Sequence, residues 1–331
     1  MTPKLRANHA VGQSITVSTR DVDLFTYTYQ PDTPLLESPK PYLSPIRTLT
    51  GDVVSLFRPH DHVWHKGIAW SLPNVGEHNF WGGPTYVPGH AYVQLENNGS
   101  AVHRDLTALS VTDDQAVVAH RLDWHSQAGA PVIEEHRSLT TTIVDDDAWA
   151  LVFDTTMTNV SGSTLSIGSP TTKGRENAGY GGLFWRGPRS FTGGIVRSPS
   201  GTGGDDLRGT RAPWFGFSGQ HDQTARWSTI VMVDDTTNPN HPPQWFVRTA
   251  EFACLCPAPF FSEELDVATG STIRFRYAVV VAAGNHDNEG TAALAAHGTL
   301  ALAAAGDPGQ HGAGQNGASQ HSTGQHRATV A

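Results

Sequence analysis

The sequence predicts an all-β fold, a large antiparallel β-sandwich built as one domain, and three observations predict it. Apolar and polar residues alternate with period two through many short segments. Gly (34) and Pro (21) are abundant, as tight turns between short strands require. Helical pattern is confined to one segment near the C-terminal end. The 331 residues can bury a substantial core, and sandwiches longer than ~200 residues commonly form a single unit.

Along the chain, residues 1–11 carry no apolar pattern and are expected to be a flexible N-terminus, with the sandwich spanning 12–288. Residues 22–29, 53–57, 92–96 and 116–124 read as strands. The run 135–144 and the run containing Trp149, Leu151, Phe153 and Met157 are joined by Asp145-Asp146-Asp147, which predicts a hairpin. In the second run Asp154, Thr156 and Thr158 take the opposite face. Residues 164–168, 227–233 and 245–249 follow as further strands. Ile273, Phe275, Tyr277, Val279 and Val281 form the last, with Arg274 and Arg276 on its other face. Antiparallel sheets with one packed face read this way. Residues 289–305, rich in Ala and Leu, favour helix but are too short and interrupted to cross a bilayer. Residues 306–331 are rich in Gly, Gln and His and hold almost no large apolar side chain. They are expected to be a disordered tail, in which His311, His321 and His326 are solvated.

Charged residues make up 16% of the chain, the net charge is −9 and the pI is near 6.0. That balance argues against nucleic acid or an anionic membrane as partner. No segment has the apolar core of a signal peptide or a membrane span. Cys254 and Cys256, two apart on a strand, are poorly placed for a disulfide. Two free thiols fit a reducing compartment, so the expected location is cytoplasmic.

The densest chemistry lies in Arg58-Pro-His-Asp-His-Val-Trp-His-Lys-Gly67. In extended chain His60 and His62 share a face, and His65 joins them if the chain turns after Val63. Imidazole exchanges protons near neutral pH and also binds metals. The histidines therefore read either as general acid and base over a polar substrate or as ligands of a divalent metal beside Asp61. The plainer alternative is a hydrogen-bonded loop on the sandwich edge. Trp64, Trp70, Trp81 and Tyr86 lie close by in sequence. Aromatic faces beside hydrogen-bonding groups suit a sugar ring, although any single tryptophan is more often core.

A third segment, Lys173-Gly-Arg-Glu-Asn-Ala-Gly-Tyr-Gly-Gly-Leu-Phe-Trp-Arg186, sets glycines around Tyr180. Glu176 offers a carboxylate base, and Arg186 could orient it or hold an oxyanion. The alternative is a glycine-rich connection capped by a salt bridge. Among weaker candidates, Glu135 and Arg137 share a strand face and suit a structural ion pair. Arg226 and Arg248 read as half-exposed strand residues, and His241, before two prolines, as a turn residue. Phosphate-loop, dinucleotide, serine-hydrolase and zincin motifs are absent from the sequence.

The ordered series RPHDHVWHKGIAWSLPNVGEHNFWGG, EEHR, GRENAGYGGLFWR, ARW and NPNHPPQWFVR resembles a bacterial family labelled methane oxygenase PmoA-like, over residues 42–281. The oxygenase subunit of that label is built of membrane-spanning helices, which this sequence lacks. The resemblance implies a large sandwich similar to the galactose-mutarotase supersandwich. It also implies a place in carbohydrate catabolism, often beside a sugar oxidoreductase. The family's histidine motif maps onto His60, Asp61, His62, His65 and Lys66, and its acidic loop position onto Glu176.

The expectation is thus a carbohydrate enzyme without a redox cofactor, an epimerase, mutarotase or lyase. His60, His62 or His65 would work with Glu176 as acid and base. Asp61, Lys66, Trp81, Arg137, Tyr180, Arg186, Arg226, His241 and Arg248 are candidate substrate contacts. The alternatives are a non-catalytic carbohydrate-binding protein and a metal-dependent hydrolase or oxygenase. An acid and a base must reach one substrate, so His60, His62, His65, Glu176 and Arg186 are expected to converge on one aromatic cleft.

Overall fold

Period-two alternation becomes two large antiparallel sheets packed face to face in a computed structural model, which describes residues 4–306. One sheet has eight strands, in the order Arg6–Ala10, Ser14–Ser18, Asp23–Thr28, Tyr42–Ile46, Ile68–Ser71, Gly182–Arg186, Cys254–Ala258 and Gln244–Arg248. The other has nine, and its centre is formed by Trp227–Asp234, Thr272–Ala283, Ala148–Asn159 and Pro131–Ile143. The expected hairpin is present, with Leu139 opposite Phe153 and Thr141 opposite Leu151.

Trp149, Leu151, Phe153 and Met157 enter the main core between the sheets, where Trp70, Trp185 and Trp245 are also fully buried. An aromatic of this size removes 150–250 Å² from water, worth about 4–6 kcal/mol before entropy is charged against it. The core also contains one ion pair. Arg137 binds both carboxylate oxygens of Glu135 (2.7 and 3.0 Å), and Glu135 accepts from Trp124 (2.7 Å) and Thr155 (2.6 Å). Arg137 also reaches Tyr27 Oη of the opposite sheet at 3.3 Å. A buried carboxylate is tolerable only with its lone pairs filled in this way.

The alternate residues Ala150, Val152, Val231, Val233 and Val280 form a second core on the outer face of the nine-stranded sheet. The helix Asn288–Ala304 covers it with Leu294, Ala295 and Leu302. Asp287 caps this helix, its carboxylate accepting from Gly290 N at 2.8 Å. Gly298 lets helix and sheet touch, since a Cβ there would lie 2.8 Å from Val233 Cγ2.

Three expectations need correction. The N-terminus is not free from residue 6, because Arg6–Ala10 pairs with Ser14–Ser18. Residues 53–57 form no strand: their groups join isolated bridges from Val53 to Arg47 and from Phe57 to Lys66. Residues 92–96 contribute only to a small hairpin, Thr85–Val87 with Ala91–Val93. The tail expected after Gly306 lies outside the described residues. Among the described residues, no helix is long and apolar enough to cross a membrane.

Candidate functional site

The same alternation that fills the core builds a pocket behind it. On the adjacent strands Gly182–Arg186, Cys254–Ala258 and Gln244–Arg248, the residues Leu183, Trp185, Leu255, Trp245 and Val247 point into the main core. The residues between them point out. Phe184, Cys254, Cys256 and Phe246 form a third apolar cluster with Trp81, Phe252 and Phe261, flanked by Trp64 and Tyr180. Over this floor lies a cavity of about 410 Å³, walled by His62, Trp64, His65, Trp81, Tyr92, Tyr180, Phe252, Arg175, Arg248 and Glu251 among others. That volume lies in the range of small-molecule sites. Trp81 packs against Tyr180 at 4.6 Å between ring centroids and against Phe184 at 4.8 Å. Gly83 has φ +68, and a Cβ on it would meet the Trp64 ring at 2.6 Å, so glycine there lets Trp64 form the wall.

The histidine segment is a closed loop pinned at both ends by one carboxylate. Glu37, 2% exposed, accepts from Arg58 Nη2 (2.6 Å) and Nε (3.0 and 3.2 Å), and from buried Lys66 Nζ. The backbone closes between them, Arg58 N donating to His65 O at 2.9 Å. Lys40 supports the neighbouring wall by donating to Trp81 O at 2.9 Å. Within the loop, turns from Pro59 O to His62 N and from His62 O to His65 N bring two imidazoles into parallel contact. The rings of His62 and His65 stack at 4.7 Å with 14° between planes.

Behind them Arg186, fully buried, donates from Nη1 to His65 Nδ1 at 3.1 Å and lies 3.7 Å above the Phe252 ring. A guanidinium has no acceptor, so His65 Nδ1 carries no proton and the neutral ring holds its proton on Nε2. Burial, reinforced by the nearby His62 and Arg186, holds the His65 pKa well below the usual imidazole value. Burial also lowers that of His62, although Asp61 pulls the other way. Asp61 Oδ2 lies 3.4 Å from His62 Nδ1 and 3.7 Å from Nη2 of both Arg186 and Arg189.

Of the five residues expected to converge, only His62 and His65 line the cavity, joined there by the candidate contacts Trp81, Tyr180 and Arg248. Arg186 is buried behind this wall, and Asp61 is exposed and off it. His60 is exposed and outside it, because the turn that stacks His62 on His65 sends residue 60 to solvent. Glu176 is likewise exposed and off the wall. The chain turns through Asn177 at φ 53, and Arg175 and Tyr180 face the cavity in its place. Lys66 points away, held by Glu37 with its Nζ 5.4 Å from the Phe57 ring centroid. Arg137 belongs to the core ion pair. Arg226 binds Asp52 through two bonds of 2.7 and 2.8 Å. His241 Nδ1 lies 2.6 Å from Asp234 Oδ2. None of these four borders the cavity.

Among the described residues, no three His, Cys, Asp or Glu side chains are grouped to hold an ion. Stacked parallel rings do not direct two lone pairs at one point, and His65 Nδ1 is occupied by Arg186. Arg175, Tyr92, Phe184, Phe246, Glu251 and Phe252 also line the cavity and were not among the expected site residues. Alternation on 182–186 and 244–248 is the signal that could have found Phe184 and Phe246.

Residues 14–296 match the family of unknown function (DUF6807), and the chain belongs to that family. That description carries no methane oxygenase label. No curated protein matches the chain. Among solved structures it is similar to galactose 1-epimerase from Lactobacillus acidophilus NCFM, at 9% identity and TM-score 0.40, over 86% of this chain and 100% of that one. It is also similar to the heparinase III BT4657 gene product, at 8% identity and TM-score 0.39, over 87% of this chain and 37% of that one. A third is the GH36 alpha-galactosidase AgaA from Geobacillus stearothermophilus, at 11% identity and TM-score 0.38, over 88% of this chain and 42% of that one. The chain therefore spans about two fifths of the heparinase and alpha-galactosidase chains.

Proposed function

We propose that the pocket takes a small carbohydrate and that His62 and His65 act on it in an isomerase, epimerase or lyase reaction. The observation that carries this reading is the pair of stacked imidazoles set in an aromatic wall. Trp64, Trp81 and Tyr180 offer apolar faces to the C–H side of a sugar ring. His62, unprotonated at neutral pH, is the general base that takes a proton from the carbon beside a carbonyl. His65 donates from Nε2–H to the carbonyl oxygen as charge develops there, with Arg186 fixing the tautomer. Return of the proton to the same or the adjacent carbon gives an epimer or an isomer. No redox cofactor enters these steps.

A binding protein without turnover is the second reading. Among the described residues Glu251 is the only carboxylate on the wall, and Arg248 already pairs with it. The motif resemblance and the two unpaired cysteines support a cytoplasmic setting and a partner sugar oxidoreductase.

The test is proton NMR of aldoses, ketoses and their acids incubated with the protein in D2O. Exchange of the proton beside the carbonyl, lost in His62→Ala with the fold retained, is the expected result. Saturable binding with neither proton exchange nor faster interconversion of anomers in the wild type would replace the enzyme by the binding protein.

A further inference from the structure

The chain carries a net charge of −9, yet the cavity walled by His62 and His65 is bordered by two arginines and one glutamate. Arg248 and Arg208 both lie against the Phe246 ring, 5.7 and 5.5 Å from its centroid. Arg208 is neutralised by Asp205 at 2.6 Å. Arg248 is paired with Glu251, whose side chain is 68% exposed, and an ion pair so open to water is easily exchanged. Arg175 has no ion-pair partner among the described residues. Its guanidinium lies 4.7 Å from the Tyr92 ring centroid and donates to Tyr92 Oη. Tyr92 in turn meets Tyr180 Oη at 2.8 Å. An acidic protein thus gathers uncompensated positive charge on the rim of an aromatic pocket.

We propose that the ligand is a sugar acid, a monosaccharide whose carboxylate pairs with Arg175 and Arg248 while its ring lies on the aromatic wall beside His62 and His65. This rests on the carbohydrate reading above and narrows it to one substrate class. The chemistry favours a carboxylate over a phosphate. Each guanidinium is held near an aromatic ring and presents planar N–H edges, which match a planar carboxylate. The usual phosphate cradle, a lysine or the N-terminus of a helix, is absent from the wall. Its charged residues are Arg175, Arg248 and Glu251, and the helix Asn288–Ala304 packs on the other sheet. On binding, the ligand's carboxylate replaces Glu251 at Arg248 and supplies the counter-charge that Arg175 lacks.

Calorimetry on the full chain with matched ligands tests this: D-glucuronate and D-galacturonate against D-glucose and D-galactose, with D-gluconate, D-glucose 6-phosphate and acetate alongside. A uronate should bind at least about tenfold more tightly than its neutral partner, the scale of one charge-assisted hydrogen bond. The preference should shrink with added salt and disappear in Arg175→Gln and in Arg248→Gln, each checked for folding by circular dichroism. The wild-type comparison stands even if a variant fails to fold. Equal binding of neutral and acidic sugars would overturn the sugar-acid inference and leave the carbohydrate reading intact. Tightest binding of the phosphate ester would overturn the choice of carboxylate. Acetate binding as tightly as a uronate would show an anion site without a sugar site. Failure of every saccharide to bind would overturn both readings.

Discussion

Replacing Glu37 by leucine removes the one acceptor that Arg58 and Lys66 share and leaves Lys66, 1% exposed, with its ammonium enclosed. Stranding a buried charge in this way costs roughly 3–5 kcal/mol. Arg58 adds little, because its side chain is 41% exposed and water can take over its donors. Urea unfolding at pH 7, followed by tryptophan fluorescence, should show that loss as a lower midpoint. Adding Lys66→Met should recover most of it, since an apolar pair in place of a buried ion pair is close to neutral. The pH dependence follows from the same contacts. Burial alone would raise the Glu37 pKa, but Arg58 and Lys66 outweigh it and hold the carboxyl below its usual value. A carboxylate depressed in the folded state stabilises fully above its unfolded value, about 4.3, and loses that contribution as pH falls below it. The gap between wild type and Glu37→Leu should therefore narrow in acid. A single-mutant loss under about 1 kcal/mol, or a double mutant no better than the single, would refute the view that one carboxylate pins the histidine loop.

The other predictions concern packing and reactivity. Gly298→Ala should destabilise the fold by about 1–3 kcal/mol despite the better helix propensity of alanine, because its Cβ meets Val233. An unchanged or raised melting temperature would show that the helix yields there. Burial pushes the Cys254 thiol up to about 12 and raises that of Cys256 as well, so neither should react with a disulfide reagent at pH 7 until the chain unfolds. Rapid labelling of the native protein would mean that the pocket floor opens.

The fold was legible because each long strand buries one face against the other sheet, which writes period two into the sequence. Trp149, Leu151 and Phe153 show this plainly. Where both faces are buried, as around Val280, the rule placed the main-core residues, and the helix expected over 289–305 covers the other side. The site was legible only in part. The histidine loop announced its chemistry by composition, but which ring faces the cavity is decided by backbone turns from Pro59 to His65. Lys66 looked functional because its partner, Glu37, lies 29 residues upstream in a segment without periodicity. Glu176 and Arg175 are chain neighbours, and the left-handed turn at Asn177, not residue type, sets which one meets the pocket.

The proposed function places His62 and His65 on the working wall of a sugar site. Ring nitrogen–proton correlation spectra of 15N-histidine-labelled protein at pH 7, with and without saturating sugar or sugar acid, test it most directly. His65 should be a neutral ring protonated on Nε2. The signals of His62 and His65 should move on ligand addition, while those of His103 and His120, which bond each other at 3.0 Å away from the cavity, should stay in place. A His65 ring protonated on Nδ1, or signals unmoved by every saccharide tried, would contradict it.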